Sequence, residues 1–247
     1  MKNIDIRNTF KDLFLRKKFT SINREASMTS LVGSCTLEII AASFIANEDK
    51  LFGEINQDYV KREEAWYHSQ SLNVNDIPGG APQIWKAVAD KNGLINSNYG
   101  WCIFSTQNML QFDNAVTELR KNPESRRAVM IYTRPSMWID YNKDGRSDFM
   151  CTNTVQYLIR DGAVHALVQM RSNDAIMGFK NDCAWQLHVL KLLSAKVGYP
   201  AGHLYWNAGS LHVYQRHFYL VDHYAQTGEI SITKEAYAAT YPNSEFI

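Results

Sequence analysis

Cys151 stands in the run Met150-Cys151-Thr152-Asn153-Thr154, where it opens a strand-like segment and precedes three small polar residues. A free cysteine in that setting is either a buried structural thiol, the commoner fate, or a thiolate at a strand edge with a cation nearby. Two arginine sites offer such cations: Ser125-Arg126-Arg127 precedes one strand, and Arg171-Ser172-Asn173-Asp174 closes another. The planar guanidinium fork suits phosphate oxygens, and a serine hydroxyl adds a further donor. Solvated surface charge is the ordinary alternative, but Arg171 follows a strongly apolar strand, which places it at the rim of a site. Gly178-Phe179-Lys180-Asn181-Asp182 reads as a glycine-led loop ending in a carboxylate at a helix start; taken alone, Asp182 is only an N-cap. His212 and Tyr214 lie two apart on a strand and so face one side of it, as a binding pair or as one satisfied histidine and one core tyrosine.

The elements that must carry these residues are legible in the apolar spacing. The pattern predicts helices over Ile6–Lys17 (with Phe10, Leu13 and Phe14 on one face), Asp58–Ser69, Pro82–Asp90, Ser105–Arg120 with Ser105 as N-cap, Ala184–Lys196 capped by Asn181 or Asp182, and Arg216–Thr227. Tyr59, Trp66 and Tyr67 are the packing anchors of the second. Strands are expected over Thr36–Ala46, Arg127–Thr133, Thr152–Arg160, Ala163–Met170 and His203–Tyr214, with Asp161-Gly162 as a hairpin turn. Helices and sequential strands without regular βαβ alternation imply an α+β fold around one large sheet. There is no internal repeat or Gly/Ser/Pro linker, so one domain over residues 1–247 is expected.

Composition narrows the function classes. A 45% apolar, 21% charged chain is a globular protein rather than a disordered or fibrous one. A net charge of +1 provides no global field for nucleic acid or anionic membrane, so any anion site must be local. No apolar run reaches the roughly 20 residues a bilayer span needs, and the N-terminus lacks a signal-peptide core. Cys35, Cys102, Cys151 and Cys183 form no zinc-like spacing, so no metal is expected and reduced thiols in the cytoplasm are the default reading.

Taken in order, the segments resemble the thymidylate synthase family: an Arg-Arg pair, a Cys opening a strand, Arg-Ser-x-Asp, a Gly-led loop ending in an amide or acid, and a His-x-Tyr strand. Arg62-Glu63, Ile84-Trp85 and Asn98-Tyr99-Gly100-Trp101 add to the likeness, which runs from about Thr36 to Gly228. Within the family the chain is similar to the phage branch that hydroxymethylates deoxycytidylate, through Tyr132–Met137, Tyr141–Gly145, Asp148–Arg160 and His217–His223. Thr152 follows the cysteine where thymidylate synthases usually have His, and Asp182 stands where they have Asn. The family's basic-Thr-Gly loop has no clean counterpart between Asn23 and Ser34, although Arg24 falls there.

The resemblance implies a thymidylate-synthase-like homodimer, dimerising through its sheet, in which Arg126 and Arg127 reach the partner's site. With Arg171 and Ser172 they would hold a 5′-phosphate; Asn173 joins this substrate-binding stretch, and His212 and Tyr214 would take the sugar 3′-hydroxyl. Asp174, Trp85 and Gly178 would lie on the folate side. Glu63 and Tyr99 would order water and proton transfers, Cys151 would be the nucleophile, and Asp182 would choose the base. The implied reaction converts dCMP, 5,10-methylenetetrahydrofolate and water into 5-hydroxymethyl-dCMP and tetrahydrofolate, in the host cytoplasm. Neither metal, nucleic acid nor membrane is implied; a nucleotide-synthesis complex is the one further partner considered. A dUMP-directed thymidylate synthase, a dCMP methylase and a non-catalytic dimeric family member are the alternatives.

Overall fold

Asp161 and Gly162 both adopt positive φ, 51° and 75°, the pairing that a two-residue type I′ hairpin requires. They join antiparallel strands Thr152–Arg160 and Ala163–Asp174, whose register pairs Arg160 with Ala163 and Tyr157 with Ala166. Val155, Tyr157, Val164, Ala166 and Val168 on this ribbon are fully buried. Alternating burial along both strands fixes the register, because a slip of one residue would turn this whole set to the opposite face.

The computed structural model describes residues 1–21 and 35–246. The stretch Asn23 to Ser34, Arg24 included, lies outside the described residues. In chain order the main elements are α1 (Asn3–Leu15), β1 (Thr20–Ser21), β2 (Cys35–Ile45), α2 (Gln57–Ser69), α3 (Gln83–Val88), α4 (Tyr99–Phe104), α5 (Gln111–Lys121), β3 (Val129–Ile131), α6 (Met137–Asp140), β4 (Thr152–Arg160), β5 (Ala163–Asp174), α7 (Gly178–Val197), β6 (Ala201–Tyr214), α8 (Phe218–Thr227) and α9 (Lys234–Thr240). Among the described residues the strands hydrogen-bond in the order β1-β2-β6-β5-β4-β3. The fold is α+β, as the mix of elements implied.

Two compact units divide the chain: Met1–Ile55 with Ser172–Ala184 and Trp206–Ile247, and Asn56–Arg171 with Trp185–Tyr205. In the first, Ile6, Phe10 and Phe14 recur every fourth residue along α1 and are buried; Phe10 meets Phe52 edge-on, and Phe14 meets Phe218. Asn3 anchors the helix start by donating to the carbonyls of Glu48 and Lys50. In the second, Trp66, Tyr67, Tyr99 and Trp185 form an aromatic core.

Three boundaries depart from the sequence reading. Ser105 ends α4 instead of starting the next helix: its hydroxyl accepts from Asn108 N in a turn, and α5 begins only after Leu110, at φ 47°. Asn181 and Asp182 lie inside α7, which starts at Gly178, so neither caps it. The strand expected over Arg127–Thr133 shrinks to Val129–Ile131, because Ser125 Oγ takes the Arg127 N–H and Asn153 O takes that of Tyr132. Strand β2 runs from Cys35 to Ile45 without being uniformly buried: Ala41 sits in it at φ 55° and Ile40 is 79% exposed.

Helix α4 packs on α2 through Gly100, where any Cβ would overlap the Tyr67 carbonyl oxygen. Asn98 locks the approach, accepting from Trp101 N and donating to the carbonyls of Trp66 and Ser71. Gly100→Ala should therefore force the two helices apart and cost about 3 kcal/mol, the upper end for overpacking. A denaturant midpoint that does not fall would contradict this.

Candidate active site

In the second unit the β4–β5 hairpin sets Cys151 opposite Arg171. Arg171 N donates to Cys151 O at 2.9 Å, continuing the ladder one residue beyond the Thr152–Met170 pair. The guanidinium folds back over the same corner: Nε donates to Met150 O at 2.9 Å and Nη2 to Phe149 O at 2.7 Å. Its carbon lies 4.8 Å from the Phe149 ring centroid, and Nη2 stands 3.7 Å from Cys151 Sγ. A cation fixed by carbonyls and an aromatic face beside a half-buried sulfur is the counter-charge that a thiolate nucleophile needs. The other cysteines differ. Burial pushes the Cys102 and Cys183 thiols up to about 12, which keeps them protonated and inert, and burial also raises Cys35.

Glu63, on α2, is buried although it carries a carboxyl group. Tyr59, one turn earlier, donates its hydroxyl to Glu63 Oε1, and Trp85 Nε1 donates to both, at 3.1 Å to the carboxyl and 3.0 Å to the phenol. Burial holds the Glu63 carboxyl above the usual carboxylate range, and the two donors pull the other way without cancelling it. Tyr59 is a member of this group that the sequence reading treated only as a packing anchor; its i,i+4 spacing from Glu63 was the available signal.

Asp148 was likewise quoted in the sequence without a role, and it ties the segment before Cys151 to the one before Tyr99. Its buried carboxylate accepts from Asn96 N at 2.6 Å, Ser97 N at 2.9 Å and Ser97 Oγ at 2.7 Å. Tyr99 follows directly, 5% exposed, stacked on Tyr67 and edge-on to Tyr132. Arg126 and Arg127 are exposed, and Arg127 pairs with Glu118 at 2.9 Å.

In the first unit Asp182 is held by a hydrogen-bonded chain. Trp206 Nε1 donates to Asn173 Oδ1 at 3.2 Å, which fixes the amide so that Asn173 Nδ2 donates to Asp182 Oδ2 at 2.8 Å. A Cβ at Gly178 would come within 3.2 Å of Asn173 Nδ2 and 3.6 Å of Asp182 Oδ2, so the bare glycine gives this pair its room. Asn173 is buried, and it stands as a positioning partner of Asp182. Asp174 turns back on its own loop, accepting from Ile176 N and Met177 N, and its other oxygen lies 3.8 Å from Arg216. Arg216 also covers the Tyr214 ring at 5.0 Å, a contact the sequence reading missed. His212 and Tyr214 meet edge-on at 4.8 Å, as the strand alternation required. Ser210 Oγ lies 3.3 Å from His212 Nδ1 and donates to Glu38. Ser172, which precedes Asn173, is half-buried.

Each unit thus presents polar groups locked by neighbours, one built on a cysteine–arginine corner and one on an oriented carboxylate. The chain belongs to the thymidylate synthase family, whose model matches residues 54–234. It is 57% identical over 216 residues to the deoxycytidylate 5-hydroxymethyltransferase of Enterobacteria phage T4, covering 85% of this chain and 88% of that one. The enzyme of that name from phage T6 is 58% identical, over 83% of this chain and 86% of its own. Among solved structures, the thermostable thymidylate synthase A from Bacillus subtilis superposes with a TM-score of 0.70 at 20% identity, covering 92% of this chain and 84% of its own, and so shares the fold. Among the described residues no helix is long and apolar enough to cross a membrane.

Proposed function

We propose that the protein is a deoxycytidylate 5-hydroxymethyltransferase, a one-carbon transferase that acts on dCMP as a single catalytic domain. Likeness to the phage enzymes over most of the chain supports the activity. The observation that carries the choice of base is Asp182, a carboxylate aimed by the Asn173 amide.

Carbon 5 of cytosine is a poor nucleophile until a thiolate adds to carbon 6. Cys151 is that thiolate, with Arg171 as its neighbouring cation. The folate co-substrate, 5,10-methylenetetrahydrofolate, supplies the methylene that carbon 5 takes up; loss of the carbon 5 proton and of tetrahydrofolate then leaves an exocyclic methylene to which water adds. Glu63, held by hydrogen bonds from Tyr59 and Trp85, positions and activates the water that completes the hydroxymethyl group, and Cys151 then leaves. Asp182 accepts from the 4-amino group of cytosine and repels the 4-keto oxygen of uracil, because an ionised carboxylate has no proton to donate. Ser172 and Arg171 take the phosphate, His212 and Tyr214 the sugar hydroxyl, and Asp174, Trp85 and Gly178 lie on the folate side; Tyr99 serves the proton transfers.

Mass analysis of the product tests the reading. Pure protein with dCMP and 5,10-methylenetetrahydrofolate should yield 5-hydroxymethyl-dCMP and tetrahydrofolate, with no absorbance rise from dihydrofolate. 5-Methyl-dCMP with stoichiometric dihydrofolate would return the protein to the methylating branch.

The raised Glu63 carboxyl has a pH consequence. If its ionised form activates water, kcat rises with pH through the folded-state pKa, above the ordinary carboxylate range. Glu63→Gln should remove that limb and lower kcat about 100-fold or more. Folding stability should move oppositely. The unfolded chain releases this proton first, so Glu63 makes wild-type stability fall as pH rises between the unfolded and folded pKa values. Rate–pH and melting profiles of the two proteins, measured side by side, check both signs; matching profiles would remove Glu63 from the chemistry.

A homodimer with shared sites fits the exposed branched residues Ile40 on β2 and Val129 and Ile131 on β3, beside the exposed Arg126 and Arg127. An Arg126→Ala chain and a Cys151→Ser chain should each be inactive alone and recover activity when mixed, since one site of the heterodimer is intact. Verified heterodimers without activity would refute sharing.

A further inference from the structure

Glu64 and His68 lie four residues apart on α2, on one helical face. His188 approaches them from α7, within the same compact unit. His188 Nε2 is 2.8 Å from His68 Nε2, and His188 Nδ1 is 3.3 Å from Glu64 Oε2. One potential ligand atom from each residue lies within 4.8 Å of the others. Both rings are held by aromatic neighbours: His68 stacks on Phe104 at 5.5 Å and His188 on Trp185 at 5.7 Å. Nothing in the proposed reaction uses this cluster.

We propose that Glu64, His68 and His188 form a site for a divalent transition ion of the zinc class. Two imidazoles and a carboxylate are a donor set that zinc takes, with water free to complete a tetrahedron. Two nitrogens on one tetrahedral zinc stand about 3.3 Å apart, so the rings would part by about half an ångström; because His188 offers one nitrogen to the ion, the Glu64 carboxylate would also turn from Nδ1 toward the Nε2 side. Lys191, one turn further along α7, is the opposing charge, and the Glu64 carboxylate offsets it. The ion would pin α2 to the Trp185–Val197 part of α7, so its expected effect is on stability.

Zn²⁺ titration by calorimetry on the full chain, carrying Cys35→Ser and Cys151→Ser so that half-buried thiols do not compete, tests the site. The expected result is one ion per chain, weakened at least about tenfold by His68→Ala, and by His188→Gln, and unaffected by His203→Ala at an exposed histidine elsewhere. Saturating Zn²⁺ should raise the melting temperature of the parent and not of His68→Ala. His68 is exposed, so its loss leaves the core intact. No binding by the parent, or equal binding by parent and His68→Ala, would overturn the proposal.

Discussion

Cys151→Ser is expected to lower kcat by at least about 10⁴-fold and to leave dCMP affinity unchanged. The size follows from covalent catalysis: without thiolate addition carbon 5 never becomes nucleophilic, and a serine hydroxyl does not reach a useful anionic form at neutral pH. Affinity should survive because Arg171 is anchored by the carbonyls of Phe149 and Met150 and by the Phe149 ring, none of which depends on the sulfur. Exchange of the carbon 5 proton of dCMP should vanish with turnover, since both wait on the same adduct. Near-normal exchange or turnover in the serine variant would rule out Cys151 as nucleophile, while equilibrium dialysis with dCMP separates a chemical defect from a folding one.

Asp182→Asn should change the ratio of kcat/KM for dUMP over dCMP by about 100-fold or more in favour of dUMP. A site that pairs its polar groups with one base leaves them unpaired with the other, and an unpaired buried group is what separates close analogues by large factors. The amide can donate to the 4-keto oxygen and accept from the ring N–H, whereas the carboxylate can do only the second. The Asn173 side chain sharpens the prediction. Trp206 fixes its oxygen, so its N–H₂ group faces Asp182, and in Asp182→Asn that donor will orient the new amide oxygen toward itself. Asn173→Ala should therefore raise KM for dCMP and blur the choice of base without reversing it. A variant Asp182→Asn with an unchanged ratio would place base selection elsewhere.

The hairpin shows how much a short sequence can decide. Asp161-Gly162 between two alternating apolar runs leaves one turn type and one register, which by itself would set Cys151 across from Ser172; a bulge between Thr152 and Thr154 shifts the pairing by one residue and brings Arg171 opposite Cys151. Family membership was equally legible, because the order of Arg126-Arg127, Cys151, Arg171-Ser172, Asp182 and His212-x-Tyr214 is a property of the chain itself. The boundaries around Ser105 and Gly178 were not legible: serine, asparagine and aspartate serve caps, turns and helix interiors alike, and neighbours choose among these. At Asp182 the chooser is Asn173, and at Ser105 it is the Asn108 turn.

The sequence by itself determined the family and the α+β scaffold, and it carries the residues proposed as nucleophile, phosphate-binding arginines and base-reading acid. Only the tertiary structure decided how those groups are tuned. Burial raises the Glu63 carboxyl, Tyr59 and Trp85 bracket it, Asp148 ties the Cys151 segment to the Tyr99 segment, and Trp206 orients Asn173 toward Asp182. It also brings His188 to Glu64 and His68 across a gap of more than a hundred residues. The physical reason is that residue type and local spacing set what a side chain can do, while desolvation and the direction of a donor depend on groups remote in the chain, which meet only when the core closes.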